Sequence, residues 1–158
     1  MSTTNLIALK RCGYNIFAYG LPNTATNICL AYGTRFIQHI PTQELIPSAL
    51  AGTIFTVTCA LVSAMMTVKS KTINDSLKQY YPDTDKRNSA LPKIYIITQL
   101  SLATLVTTIG TRAVASFAGG LISYNAAAGF ALINCFSTLA VSKFLVHYKL
   151  TANQVFKS

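Results

Sequence analysis

Acidic residues are scarce in this chain, which carries four Asp and Glu against thirteen Lys and Arg and a formal net charge of +9. Glu44 is the first acidic residue, and none lies within the long apolar stretches. Proton-driven or cation-coupled carriers usually need a carboxylate inside the membrane. The sequence therefore argues against that class. Charged residues amount to only 11%, about half the usual fraction of a soluble domain.

Residues that carry catalytic or metal chemistry are equally sparse. The four cysteines form no C-x-x-C pair, and we interpret Cys59 and Cys135 as small buried apolar side chains. His39 and His147 are the only histidines, and a four-span topology puts them on opposite faces, where they cannot share a metal or haem. No phosphate-binding glycine loop is present. We predict no enzyme and no catalytic, metal or cofactor-binding residue.

Long apolar runs are what the chain does contain. Residues 46–68, 94–118 and 121–146 each exceed the ~20 apolar residues that cross a bilayer as a helix. Mean hydropathy is +0.42 and hydrophobic residues make up 51%. The sequence predicts an all-α membrane protein, folded as a single transmembrane helical domain over residues 1–158.

A fourth span is predicted over residues 14–37, although this stretch is more polar. Pro22 lies within it and is expected to kink or break a helix. The alternative is an interfacial helix that begins near Thr24. The fold class is therefore a small bundle of four transmembrane helices, or of three if the first segment is only interfacial.

The distribution of basic residues indicates the orientation. Four spans put eleven basic residues on one side and two on the other. The positive-inside rule then assigns both termini and the polar loop of residues 69–93 to the cytoplasm or the mitochondrial matrix. This charge favours anionic lipids as partners rather than nucleic acid. The larger set is Lys10, Arg11, Lys69, Lys71, Lys78, Lys86, Arg87, Lys93, Lys143, Lys149 and Lys157, and the smaller is Arg35 and Arg112.

Two connections carry local signals. Residues 72–80 are expected to form a short amphipathic surface helix with Ile73, Leu77 and Tyr80 on one face. Gly119-Gly120 is typical of a tight reversal between the last two spans.

Small residues recur every four positions along three spans, which lets helix backbones approach closely in a membrane. Chance is the alternative explanation, because Ala, Thr and Ser are common here. The larger Phe55, Leu61, Leu105 and Leu132 are then expected to face lipid or partner subunits. The positions that we predict to pack helices are Gly52, Thr56, Ala60, Ala115, Gly119, Ala127 and Ala131.

Polar side chains within the spans need partners. Asn27, Gln99, Asn125 and Asn134 are expected to form hydrogen bonds between helices. Arg112 is the one charged residue well inside a predicted span. We assign it a structural or lipid-anchoring role near the end of its helix, with an ion or substrate pathway as the alternative.

Three segments resemble the mitochondrial inner-membrane translocase family, in particular its relative, the four-helix accessory subunit of respiratory complex I. They are residues 48–55 with Cys59 and residues 63–64, residues 108–112, and residues 140–143. The glycine pattern of the family is thinner here and the loop of residues 69–93 is longer. That family places its termini in the intermembrane space, whereas the charge distribution favours the matrix.

The resemblance implies a structural role, and we predict a non-catalytic accessory subunit of a larger membrane complex. Its expected partners are other membrane subunits and anionic lipids, with a bound phospholipid such as cardiolipin. The expected location is the mitochondrial inner membrane, with a bacterial inner membrane as the alternative. The rival hypothesis is a small homo-oligomeric channel, holin or transporter.

Overall fold

The structure, a computed structural model, describes residues 3–38, 45–117 and 122–156. These residues form helices joined by short connections. In chain order the helices are α1 Thr3–Gln38, α2 Leu45–Val68, α3 Ser70–Tyr80, α4 Thr84–Phe117, α5 Tyr124–His147 and the single turn α6 Ala152–Val155.

The four long helices α1, α2, α4 and α5 form an up-down-up-down bundle. Gly52 of α2 lies against the α1 backbone at Asn23 and Thr24. Further along α2, the Gln99 side chain of α4 reaches the carbonyl oxygen of Cys59. Thr104 Oγ1 of α4 and Cys135 Sγ of α5 lie 3.2 Å apart. Each neighbouring pair is antiparallel, so the start of α1, the α2–α3–α4 connection and the end of α5 share one end of the bundle. We call this the basic end.

Three helices are long and apolar enough to cross a membrane by length and composition, over residues 49–68, 84–117 and 124–147. They coincide with the three predicted apolar spans, although α4 begins ten residues before residue 94. The all-helical fold class is confirmed among the described residues, and α1 is the one of the four long helices that does not meet this criterion.

The α1 helix continues through Pro22 without interruption, so the break expected at that residue does not occur. Pro22 is followed immediately by Asn23, a fully buried residue whose side chain reaches α2 and α5. In a bundle, neighbouring helices can hold a helix together across the hydrogen bond that proline removes.

The polar segment of residues 69–93 is mostly helical, which corrects its description as a loop. Helix α3 confirms the short surface helix expected at residues 72–80. Helix α4 then begins directly after Asp83, whose carboxylate accepts a 2.9 Å hydrogen bond from the Asp85 amide. That bond satisfies a backbone donor that the first turn of a helix leaves free. Polar residues continue the helix as easily as they form a loop, so hydropathy alone misplaced its start.

Phe55 is fully buried within the bundle, so the expectation that it faces lipid or a partner subunit is wrong. It packs with Cys59 and Ala103, and Leu100 and Cys135 pack against this cluster. Helix α2 contacts α1, α4 and α5, so a wider arc of its surface is covered than one stripe of small residues would suggest. Leu61, Leu105 and Leu132, the other large residues expected outside, are exposed.

Candidate functional site in a polar cavity

A line of polar side chains runs down the inward face of α1. Arg11, Asn15, Tyr19, Asn23 and Asn27 follow one another at intervals of four residues, and none is exposed. Residues four apart lie on one face of a helix, so α1 turns a single polar stripe towards its neighbours. We call these five residues the α1 polar stripe.

Asn23 connects three helices at the centre of the bundle. Its Nδ2 donates to Thr56 Oγ1 of α2 and to Thr138 Oγ1 of α5, each at 2.9 Å. All of its side chain is buried. An amide with two donors suits this bridge because each hydroxyl accepts one hydrogen bond.

Asn27 continues the connection towards the opposite end of the bundle. Its Nδ2 donates to Asn134 Oδ1 at 2.6 Å and to the carbonyl oxygen of Asn23 at 2.7 Å. Gln99 Nε2 donates to the Cys59 carbonyl oxygen at 3.0 Å. The interhelical hydrogen bonds expected of Asn27, Asn134 and Gln99 are thereby confirmed, whereas Asn125 is exposed. Sequence reasoning missed Asn23.

The closest backbone approach involves Gly52. A Cβ atom there would lie 2.7 Å from the Asn23 carbonyl carbon and from the Thr24 nitrogen. Only glycine fits, because both neighbours are backbone atoms that cannot turn aside. Gly119 lies outside the described residues. The remaining positions proposed for packing are buried: Thr56, Ala60, Ala115, Ala127 and Ala131.

Arg112 lies far from the basic end and has an aromatic partner that the sequence did not reveal. Its guanidinium carbon is 3.6 Å from the centre of the Tyr124 ring, which joins the end of α4 to the start of α5. Stacked cations are attracted by the negative face of the ring. The partner follows from the antiparallel α4–α5 pairing, not from the local sequence.

A polar cavity opens between the helices towards the basic end. Its inner chamber, about 230 Å³, lies between α1, α2, α4 and α5. Hydroxyl and amide groups occupy one part of its wall, and Ile96, Leu100 and Leu139 occupy another. Its polar lining includes Asn15, Tyr19, Ser63, Gln99, Thr138 and Ser142.

The outer chamber, about 350 Å³, adjoins the inner one and shares Asn15, Tyr19, Ala60 and Ser63 with it. Arg11 lines this chamber together with Tyr95, Thr67 and Thr151. The cavity therefore runs from Thr67 near the end of α2 to Thr56 near its middle, a distance of about 16 Å at ~1.5 Å per helical residue.

Arg11 is the charged group of this cavity. Among the described residues the one ion pair is Lys78–Asp75 on the surface, so no described carboxylate neutralises Arg11. Its Nε and the Tyr95 hydroxyl are shielded from solvent and have no hydrogen-bond partner. Sequence reasoning counted Arg11 with the loop charges, although its four-residue spacing from Asn15 and Tyr19 could have placed it on the inward face.

Comparison of the chain with protein-family models, curated proteins and solved structures finds no match. Within the described residues no three His, Cys, Asp or Glu side chains are grouped as metal ligands.

Proposed function

We propose that the chain is an integral membrane bundle in which α1 is the fourth span. The support is the direction of the α1 polar stripe, which faces inward and lowers the hydropathy of the helix without exposing polar groups to lipid. Phe17 and Leu21 on the outer face are 71% and 72% exposed. Ile28 and Tyr32 of α1 still line a groove with Ile46 at the start of α2. A helix that follows α2 over its whole length lies at the same depth.

Impermeant labelling of single cysteines in a cysteine-free background tests this topology. With four spans, a cysteine at Lys10 and one at Lys149 react from the same side, because both lie at the basic end. With three spans, α1 stays on the side where α2 begins, so the cysteine at Lys10 reacts from the side opposite the cysteine at Lys149.

We further propose that the bundle is a non-catalytic subunit that packs against other helices of a larger membrane assembly. The observation that carries this proposal is an outward stripe of small residues on α1. Ala25, Cys29 and Gly33 recur every four residues and are exposed, and a Cβ atom at Gly33 would meet nothing within 4 Å. Small residues allow close backbone contact between membrane helices, and here the bundle itself supplies no neighbour.

The family resemblance is the sole support for a respiratory complex in the mitochondrial inner membrane as the host of this assembly. Anionic lipids remain proposed partners because basic residues gather at one end of the bundle. Arg112 remains a proposed lipid anchor, since a guanidinium stacked through one face keeps its N–H edge for a phosphate.

Native-gel migration after mild detergent extraction, from membranes of the source cells, tests the assembly. Gly33→Leu should release the chain from a large complex, because the larger side chain separates the partner helix. Gly13→Leu is the matched control, since a Cβ atom there also meets nothing within 4 Å of the bundle but lies outside the stripe. Equal migration of Gly33→Leu and wild type contradicts the proposal.

A homo-oligomeric channel or transporter is the second candidate, and the polar cavity is the observation that favours it. A ladder of self-multiples on the same gel would support this candidate, whereas co-migration with a hetero-complex supports the subunit. Bifunctional maleimide cross-linking through exposed Cys29 adds a second measure, because it joins two copies only in a homo-oligomer packed through α1.

A further inference from the structure

We propose that the cavity at the basic end binds a phosphate ester. The Arg11 guanidinium holds the phosphate in the outer chamber, and a small uncharged polyol of the same molecule occupies the inner chamber. The two chambers together, rather than a single residue, define this site.

Charge selects the anion. Arg11 lines the outer chamber, and no described carboxylate pairs with it. The planar guanidinium presents its donors in the fork that matches phosphate oxygens. Lys69, which is exposed two residues after Thr67, adds to a positive potential that attracts anions to the mouth.

Two polar groups of the outer chamber that lack hydrogen-bond partners also favour an anionic ligand there. Arg11 Nε and the Tyr95 hydroxyl are shielded and lack partners, and a buried donor without an acceptor destabilises a fold. Both residues line the same chamber. A phosphate provides several acceptor oxygens at once, so small side-chain adjustments could satisfy both groups on binding.

The inner chamber selects the rest of the molecule. Its lining carries no charged side chain but contains the hydroxyl and amide groups of Tyr19, Ser63, Gln99 and Ser142. Such groups exchange hydrogen bonds with neutral hydroxyls. A volume of about 230 Å³ corresponds to roughly seven or eight water molecules, which suits a glycerol-sized body.

The phosphate has two possible sources, a phospholipid headgroup and a soluble phosphate ester. The Leu45–Val68 helix is about 36 Å long, longer than the ~30 Å hydrocarbon layer. Thr67 and the outer chamber therefore lie at headgroup depth when α2 spans the membrane. Both sources share the same chemistry at Arg11, and the experiment distinguishes them.

Calorimetric titration of the full chain in dodecyl maltoside with glycerol 3-phosphate tests the soluble source. Native mass spectrometry from phosphatidylcholine nanodiscs containing phosphatidylglycerol tests the lipid source. Arg11→Gln should weaken binding at least tenfold, the loss expected when a charge-assisted hydrogen bond is removed. Lys10→Gln is the matched control, because it removes the same charge from the adjacent exposed position and should change affinity less than twofold.

If Arg11→Gln weakens the binding of glycerol 3-phosphate, the ligand is a soluble phosphate ester. If the substitution lowers only the retention of phosphatidylglycerol, the ligand is a lipid. The proposal is overturned if neither probe distinguishes Arg11→Gln from Lys10→Gln. Should Arg11→Gln fail to fold, Arg11→Lys and Tyr95→Phe decide. The second removes a hydroxyl that has no partner in the bundle, so it leaves folding intact. Weaker binding in either variant supports the site, and unchanged affinity in both refutes it.

Discussion

The two halves of the bundle are built from the same long helices but differ in how closely those helices pack. Away from the basic end, Thr107 and Thr111 of α4 and Ala127 and Ala131 of α5 are fully buried, and backbones come together. Towards the basic end, a cavity lies between α1, α2, α4 and α5, and Arg11 and several hydroxyl groups line it. Close packing stabilises a bundle in lipid, where apolar burial contributes little to helix association. The cavity leaves the helices of the open half less closely packed, and the ligand-binding role that we propose would account for that loss.

The largest effect is expected from Gly52→Leu in the packed half. Its side chain would meet the Asn23 and Thr24 backbone, so the helices must separate. Overpacking of this kind costs about 1–3 kcal/mol, and rigid backbone neighbours put it at the upper end. Unfolding by dodecyl sulfate titration, followed by circular dichroism, measures the loss. Gly129→Leu is the control, because a Cβ atom there has open space around it. Equal stability of the two variants would falsify the close crossing.

A smaller loss is expected from Asn23→Ala, at the boundary between the halves. It removes donors from the Thr56 and Thr138 hydroxyls, and each membrane hydrogen bond is worth about 0.6–2 kcal/mol. The exposed Asn125, changed to Ala, should leave unfolding unaltered. The bridge also closes the inner end of the cavity, so Asn23→Ala should speed amide exchange in α1 beside Thr56. An unchanged exchange rate would show that the bridge does not divide the halves.

The sequence revealed the packed half better than the open one. Hydropathy located α2, α4 and α5, because lipid-facing residues are apolar whatever lies inside. Hydropathy did not identify α1 as clearly, because the mean hydropathy of a helix does not distinguish a polar stripe that faces inward from one that faces lipid. The spacing of Arg11, Asn15 and Tyr19 contained that information, but the cavity also depends on α4 and α5. The stacking of Arg112 on Tyr124 required the α4–α5 pairing, which no local pattern supplies.

The stacking of Arg112 on Tyr124 joins α4 to α5 in the packed half, and substitutions at Tyr124 test how much it stabilises the bundle. Tyr124→Leu should cost about 0.5–2 kcal/mol, the range for a cation over an aromatic face, whereas Tyr124→Phe keeps a ring and most of the stability. Arg112→Lys should be partly tolerated, since lysine is also a cation. The same dodecyl sulfate titration tests these variants. If Tyr124→Leu and Tyr124→Phe unfold alike, the ring does not hold the guanidinium.

The smallest effect is expected on the surface of the basic end, in α3, none of whose described residues is buried. The Lys78 ammonium donates a 2.7 Å hydrogen bond to Asp75 Oδ1, and this bond, followed by the attraction of the Lys78 charge, lowers the pKa of the Asp75 carboxyl from its ordinary value of 3.8. A carboxyl whose pKa is lower in the folded state stabilises the fold above its ordinary pKa, and this contribution is lost as pH falls through the lowered value.

Protection of the α3 amides, that is, their exchange rate relative to the intrinsic rate at each pH, should therefore fall slightly on acidification below about pH 4, while protection around Ala127 and Ala131 stays constant. In Asp75→Asn the residue no longer titrates, so the acid-dependent part of the change should disappear. Salt should weaken the effect in wild type, because an exposed ion pair is screened. Identical acid profiles for wild type and Asp75→Asn would show that the pair contributes nothing to α3. The exchange of this helix would then be controlled by its connections to α2 and α4.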